Sequence, residues 1–175
     1  MGRLIVRMNV SLDGFVDHDR MTTGPELFRH WIAAVRGVAG GFYGRCVYDL
    51  MRYWDEDRPE WSADQRAFAE AWRGQRKWVA SRTLAAPGPD ATLAADGVAA
   101  ARRLKAELDG DIAVSGPTLA QSLAEAGLVD GYHLYLHPVA LGHGRPFFAG
   151  PRPPLRLLAH DGVGDGVVRL AYATA

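Results

Sequence analysis

The chain has 175 residues, of which 48% are hydrophobic and 23% charged, and its formal net charge is zero. This length and composition predict one globular domain over residues 1–175, large enough to bury about two-thirds of the unfolded chain's surface. The balanced charge argues against a protein that binds nucleic acid or an anionic membrane surface, because such binding is mainly electrostatic. The single cysteine, Cys46, excludes an internal disulfide and a cysteine-based metal cluster.

Neither a targeting segment nor a set of metal ligands stands out in the sequence. No signal peptide precedes Arg3, and no apolar run reaches membrane-spanning length. We therefore expect a cytoplasmic protein. The six histidines, His133 and His137 among them, show no ligand spacing, so buried structural histidines are the favoured interpretation and no metal site is predicted.

The first half of the chain predicts strands that alternate with helices. Residues 3–11 alternate between two faces, which is typical of a strand, and Pro25 suits the first position of a helix that runs to about Arg36. A polar loop is expected between them at 17–24. The other expected elements are a strand at 38–43, helices at 44–53 and 63–73, a strand at 76–81, a loop at 87–89 and a short strand near 91–93.

The second half begins in the same way and ends differently. A helix at 97–108, a strand at 112–115, a helix at 118–126 and a strand at 129–137 are followed by two strands, at 155–160 and 167–173. Gly127 is predicted to end the helix at 118–126, with Leu128 folding back on Leu123. The last two strands are expected to pair antiparallel. This order predicts an α/β protein whose mixed sheet carries helices on both faces.

Three strand ends carry residues that suit a phosphate group. Two of them run from a glycine turn into a helix, which directs backbone N–H groups and the helix dipole outward. The third ends a strand, where open α/β sheets gather ligands. The residues concerned are Gly44, Arg45 and Val47, then Ser81, Arg82 and Thr83, and finally Gly116, Pro117, Thr118 and Leu119. From the residues alone, solvated arginines and turns chosen for their geometry remain open alternatives.

Five segments in order resemble the dihydrofolate reductase superfamily. They are residues 9–14, 44–49, 77–84, 116–130 and 138–147, which together span nearly the whole chain. The branch that fits best holds the reductase domain of the bifunctional riboflavin-biosynthesis protein and its stand-alone relatives. The resemblance implies a dihydrofolate reductase-like three-layer α/β/α fold, with a mostly parallel sheet and an antiparallel C-terminal end.

The same resemblance implies NADPH as the cofactor. The superfamily meets the NADPH phosphates at a Gly-Arg-x-Thr-Tyr motif, which implies that role for Gly44 and Arg45, while Val47 stands where threonine is usual and removes one hydroxyl contact. Arg82 is the candidate for the adenosine 2′-phosphate, and with Arg45 it predicts a preference for NADPH over NADH. The backbone at Val10 is implied to face the nicotinamide carboxamide.

The acceptor substrate is expected beside the end of the first strand and the start of the helix at Pro25. By resemblance to folate reductases, Glu26 would supply or relay the proton that accompanies hydride transfer. The alternative, favoured by the residues alone, is a first-turn glutamate that interacts with the helix dipole. Asp13 is expected to cap its turn as well as to border the acceptor. The expected wall comprises Asp13, Phe15, Glu26, Leu27, His30 and Trp31.

Two departures from the family leave the substrate undetermined. Riboflavin-pathway reductases usually carry a glutamate where this chain has Val114, and folate reductases carry Pro-Trp where it has residues 21–23. We therefore expect an NADPH-dependent reductase that transfers hydride to a small pteridine- or pyrimidine-like molecule. The alternative is a non-catalytic, nucleotide-binding, self-associating protein on the same fold. A homodimer is expected in either case, with apolar surface offered by residues 132–139 and 146–148.

Overall fold

A mixed sheet forms the centre of the fold in the computed structural model, which describes residues 1–88, 90–150 and 154–175. Within these residues the strands lie in the order β4-β3-β2-β5-β1-β6-β8-β7. The elements are β1 Arg3–Ser11, α1 Pro25–Arg36, β2 Gly40–Gly44, α2 Arg45–Met51, α3 Ala63–Gly74, β3 Lys77–Ala80, β4 Ala91–Ala94, α4 Gly97–Glu107, β5 Asp111–Ser115, α5 Pro117–Glu125, β6 Gly131–His137, β7 Leu155–Gly162 and β8 Val168–Thr174, with 3-10 turns at His18–Arg20 and Arg52–Trp54.

The strand directions confirm the predicted α/β architecture. Strands β1 to β6 pair parallel to one another, whereas β8 pairs antiparallel to β6 and β7 pairs antiparallel to β8. Strand β1 pairs with β5 through its residues 3–6 and with β6 through its residues 5–11. The carboxyl-terminal half of β1 therefore extends past the end of β5, which leaves room beside it.

Helices cover both faces of the sheet, each over its own apolar core. One core joins the β1 face that carries Leu4 and Val6 to α4 and α5. The other joins β2 and β3 to α1, α2 and α3, with Trp72 fully buried at its centre. This is the three-layer arrangement that the sequence predicted. No helix in the described part of the chain is both long and apolar enough to cross a membrane.

Local sequence signals account for the ends of several helices. Pro25 stands at the first position of α1, and Ser62 and Gln65 form a reciprocal capping box at the start of α3. The predicted end of α5 at Gly127 is confirmed. Gly127 has φ +66°, and the Leu128 N–H donates to the Leu123 carbonyl at 2.9 Å.

Some expectations need correction. The strand expected from residue 38 begins at Gly40, and the helix expected to reach residue 53 ends at Met51 before a 3-10 turn. The apolar surface expected for a dimer is largely internal, since Tyr132, Leu134 and Phe147 are buried within the chain's own core. Self-association therefore stays a prediction without that support. In the loop expected at 87–89, Pro89 lies outside the described residues.

Candidate active site

A groove of about 680 Å³ runs along the carboxyl ends of β2, β3, β4 and β5. These four strands are parallel neighbours, so their ends meet at one edge of the sheet. The groove is lined chiefly by the segments that follow them, residues 44–47, 80–83, 95–98 and 116–119. All the candidate cofactor residues except Val10 line it: Gly44, Arg45, Val47, Ser81, Arg82, Thr83, Gly116, Pro117, Thr118 and Leu119.

The floor of the groove is a close approach between two glycines. Gly116 has φ +121°, and a Cβ there would lie 3.3 Å from the backbone nitrogen of Gly44 and 3.4 Å from its Cα. Helix α5 begins directly afterwards at Pro117, which carries no N–H. The N–H groups of Thr118 and Leu119 belong to the first helical turn and have no acceptor within the helix. Backbone donors and the positive end of a helix dipole therefore converge here.

Three arginines line the groove, one of them unexpected from the sequence. Arg45 Nη1 donates to Thr83 Oγ1 at 2.5 Å, which ties the start of α2 to the loop after β3. Arg82 is exposed and has no hydrogen bond or ion pair with the rest of the described chain. The third is Arg145, from the loop after β6, whose guanidinium donates to the Thr118 hydroxyl.

One acid limits where an anion would lie in this groove. Asp96 caps α4, and its Oδ1 accepts from the Ala99 N–H at 2.9 Å. A carboxylate thus already occupies the start of α4. The positive part of the groove is the side formed by Arg45, Arg82 and the start of α5.

A second cavity, of about 600 Å³, lies between the sheet and helices α1, α2 and α3. Its sheet side includes Met8 and Asn9, from the part of β1 that extends past β5. Its walls are aromatic: Phe28 lies with its ring centroid 5.7 Å from that of Trp54 and 5.2 Å from that of Phe68. We call this space the acceptor cavity.

The groove and the acceptor cavity share a wall. Cys46, Val47, Pro117 and Arg145 line both. A ligand long enough to lie in the groove therefore reaches the mouth of the acceptor cavity without crossing the core.

The polar side chains around the acceptor cavity are mostly paired with one another. Tyr43 donates to Gln75 Oε1 at 2.5 Å, and burial raises the pKa of the Tyr43 hydroxyl. Gln75 Nε2 in turn donates to the Val35 carbonyl at 3.3 Å. Asn9 Oδ1 lies 3.0 Å from His137 Nε2. These contacts fix the groups in place without needing a ligand.

Arg7 is the exception. Its side chain is only 11% exposed, and its Nη2 is 3.7 Å from Asp111 Oδ2, a long ion pair. Nη1 donates to the Ala34 carbonyl at 3.0 Å, whereas Nε is buried and has no hydrogen-bond partner among the described residues. Burial lowers the pKa of this guanidinium more than the neighbouring charges raise it. Arg7 thus borders the cavity as a buried cation, while its Nε is enclosed by the protein and does not open to the cavity.

The helix face expected to meet the acceptor is turned elsewhere. Of the side chains expected on α1, Trp31 alone lines the acceptor cavity. Leu27 is fully buried against Tyr135 and the β7–β8 connection, and His30 Nε2 lies 3.1 Å from the Tyr135 hydroxyl. Glu26 is exposed and packs beside Gly164, where a Cβ would lie 2.3 Å from its own. The cavity instead receives Phe28 from the adjacent face of α1.

The expected site residues around the end of β1 also lie outside both cavities. Asp13 accepts from the Ser11 hydroxyl and from the N–H groups of Leu141 and Gly142, which lower its pKa to about 2. It thus fastens two loops together, as a capping residue. Phe15 bonds to Ser11 through its backbone, and the Val10 side chain is buried in the opposite core.

Residues 3–169 match the model of a known family, the RibD C-terminal domain. The chain belongs to this family. It is also 28% identical to YyaP of Bacillus subtilis over 183 residues, which covers 97% of this chain and 94% of YyaP. YyaP is itself named an uncharacterized protein, so that likeness brings no activity with it.

Three solved structures of other bacterial proteins share the fold. A Shewanella sp. PV-4 protein named for riboflavin biosynthesis matches with a TM-score of 0.75 and 19% identity over 99% of each chain. The Acinetobacter baumannii RibD matches with a TM-score of 0.68 and 13% identity, covering 100% of this chain but 58% of that one. The Thermotoga maritima deaminase and 5-amino-6-(5-phosphoribosylamino)uracil reductase gives 0.66 and 14%, with 57% of its chain covered. The dihydrofolate reductase-like fold is thereby confirmed.

Several residues of this RibD C-terminal domain were not singled out from the sequence. Arg7 and Asn9 lie on the second face of β1, and the alternating pattern gave no sign that this face opens to a cavity. Arg145 belongs to a Gly-Arg-Pro turn that is distant in sequence from every other part of the groove. The aromatic lining of the acceptor cavity packs among apolar side chains as core residues do, so its sequence pattern is that of an ordinary core.

Proposed function

We propose that this chain is an NADPH-dependent reductase that transfers hydride to a small unsaturated ring molecule held in the acceptor cavity. The observation that carries the proposal is the shared wall at Cys46, Val47, Pro117 and Arg145. A donor-lined groove suited to a dinucleotide runs directly into an aromatic cavity suited to a ring. Hydride transfer needs this adjacency, because the two reacting atoms must stand about 3–3.5 Å apart.

The residues of the groove fit the cofactor. The crossing of Gly44 and Gly116 leaves little room for a Cβ at Gly116, and it brings open backbone donors to a surface where phosphate groups are favoured. Arg45 would hold a phosphate of the dinucleotide, and Arg82 would hold the adenosine 2′-phosphate as a planar, always charged donor. When bound, NADPH supplies the hydride from its nicotinamide ring, and the protein supplies orientation and electrostatics.

Family membership supports the same reaction class. The Thermotoga maritima neighbour is named for a reductase activity as well as a deaminase activity. The match covers 57% of that protein's chain, and residues 3–169 of this chain match the model of the RibD C-terminal domain. The one cysteine of this chain leaves no set of paired cysteines such as a zinc deaminase uses.

Binding and turnover, measured together, test the proposal. NADPH is titrated into the protein by calorimetry, and nicotinamide absorbance is then followed with a panel of pteridines, pyrimidines and quinones. We expect saturable binding and oxidation with at least one ring class. Tight binding with no turnover of any compound would favour a nucleotide-binding protein without catalysis. Absence of NADPH binding would refute the proposal.

A further inference from the structure

We infer that Arg145 binds the diphosphate group of the dinucleotide, leaving Thr118 when the cofactor enters, and that this contact does not distinguish NADPH from NADH. The identity of the cofactor rests on the proposed function. The contact of Arg145 with a diphosphate rests on the position, the charge and the backbone support of this one side chain.

Arg145 stands where the middle of a dinucleotide would lie. The strands end along one edge of the sheet in the order β3, β2, β5, β1 and β6, and neighbouring strands are about 4.8 Å apart. Arg82 follows β3, the start of α5 follows β5, and residues of β1 line the acceptor cavity. A dinucleotide with its 2′-phosphate at Arg82 and its nicotinamide at the shared wall therefore carries its diphosphate past the start of α5. Arg145 contacts Thr118 at that point.

The guanidinium group of Arg145 has a neutral partner in the groove. It donates to the Thr118 hydroxyl, and within the described residues it forms no ion pair. Arg45, in contrast, is paired with Asp49 at 3.3 Å. Hydrogen bonds from arginine to charged oxygen atoms are about twice as strong as bonds between neutral groups. A diphosphate oxygen would therefore displace the hydroxyl of Thr118 as the acceptor.

The backbone of Arg145 is held in place while its side chain is exposed. Its N–H donates to Asp17 Oδ2 at 2.7 Å, and its carbonyl accepts from the Val16 N–H at 2.9 Å. Nearby, the Phe147 N–H donates to the Gly14 carbonyl at 2.9 Å. Because these bonds fix the backbone, only the side chain has to turn from Thr118 to a bound phosphate. Less conformational freedom is then lost on binding than if the whole loop had to become ordered.

Calorimetry with NADPH and NADH on two arginine variants tests the contact. Arg145→Met removes the charge and keeps an apolar stem. It should lower both affinities by the same factor, about tenfold or more, as the loss of one bond to a charged oxygen atom predicts. Arg102→Met is the matched control, because Arg102 is exposed on α4 and does not line the groove, while its loss changes the net charge equally. The control should leave both affinities unchanged.

Arg145→Lys separates binding from a merely structural role. Lysine keeps the charge but lacks the planar pair of donors, so it should recover part of the affinity that Arg145→Met loses. Since the altered side chain is exposed, the urea midpoint of both variants should equal that of the unaltered protein.

Inorganic pyrophosphate distinguishes this inference from the proposed function. In amide NMR spectra of the labelled protein it should shift the signals of Thr118 and Leu119, and Arg145→Met should need a higher concentration for the same shifts. A protein that responds in this way without binding NADPH would refute the proposed function and retain the diphosphate site.

The inference is overturned if Arg145→Met binds both dinucleotides and pyrophosphate as the unaltered protein does. It is also overturned if Arg145→Met loses affinity for NADPH alone, since Arg145 would then contact the 2′-phosphate, or if Arg102→Met shows the same loss. In each of these cases NADPH still binds to the unaltered protein, so the proposed function stands.

Discussion

The groove and the acceptor cavity adjoin one another, yet they are built in different ways. The groove is made of turns that follow parallel strands. Its donors are backbone N–H groups together with Arg45 and Arg82, which stand within a few residues of a strand end, and Arg145 from the loop after β6. The acceptor cavity is made of side chains from strands β1, β2 and β5, from helices α1, α2 and α3 and from the adjoining loops, which lie far apart along the chain. The first depends on local geometry and the second on packing.

The two regions should therefore tolerate different substitutions. The groove should lose NADPH affinity when its backbone is displaced, and it should lose its preference for NADPH over NADH when an arginine is removed. A side-chain cavity should exchange one specificity for another while the cofactor still binds. Variants in each region test this contrast.

We expect the largest effect from Gly116→Ala. The new Cβ would press on the Gly44 backbone at 3.3 Å, and alanine is strained at φ +121°, which costs about 1–3 kcal/mol. Displacing the N–H groups of Thr118 and Leu119 would lower NADPH affinity about a hundredfold, the loss of two bonds to charged oxygen atoms. Calorimetry and urea denaturation measure the two effects.

Gly110→Ala is the control for strain alone. Gly110 has φ +89°, nothing lies within 4 Å of its Cβ position, and it is remote from the groove in the chain's fold. It should lose stability and keep NADPH affinity. Equal NADPH affinity in both variants would show that the turn at Gly116 does not bind the cofactor.

The next largest effect is expected from changing Arg45 and Arg82 together to alanine. Each charged contact is worth about 1.5–3 kcal/mol, so the preference for NADPH over NADH should erode by about tenfold or more. Affinity for NADH should change less than affinity for NADPH. A preference that survives in the double variant would mean that other groups recognise the 2′-phosphate.

In the acceptor cavity, Tyr43→Phe should reduce stability without touching cofactor binding. It leaves the buried Gln75 Oε1 without its donor, which costs about 1–3 kcal/mol, read as a lower urea midpoint. Tyr172→Phe is the matched control, because the half-buried Tyr172 makes no hydrogen bond through its hydroxyl to the described residues. Equal losses of stability in the two variants would show that the hydrogen bond between Tyr43 and Gln75 does not stabilise the fold.

The smallest effect is expected from Glu26→Gln. Glu26 is exposed at the start of α1 and lines neither the groove nor the acceptor cavity. Both turnover and NADPH affinity should therefore remain those of the unaltered protein. A clear fall in turnover at unchanged NADPH affinity would restore the proton-donor role that the sequence suggested.

The sequence could predict the sheet and the groove because their signals are local. Gly116 and Pro117 mark a strand-to-helix turn whatever surrounds them, and the period of two along residues 3–11 defines a strand. Helix α1 is harder, since its apolar residues occupy more than one face. Leu27 faces Tyr135, Phe28 faces the acceptor cavity and Ile32 lies in the core. The helical period of 3.6 residues shows which residues share a face, but it does not identify the element that each face contacts.

Arg7 and Arg145 show the same limit for charged residues. The sequence places both on plausible elements, a strand and a loop, but their roles depend on partners that lie far along the chain. Arg7 is buried by helix α1, and Arg145 reaches Thr118 across the shared wall. Such contacts are set by the register and twist of the complete sheet, which no short motif encodes.

Amide NMR spectra of the labelled protein during an NADPH titration show whether the cofactor binds in the groove. If the cofactor lies in the groove and reaches the acceptor cavity, the largest shifts will fall on Gly44, on Thr118 and Leu119, and on Cys46 at the shared wall. The residues from Glu26 to His30 and the β7–β8 pair will barely move. Shifts concentrated on α1 or on β7 and β8, with residues 44–47 and 116–119 unmoved, would contradict the account.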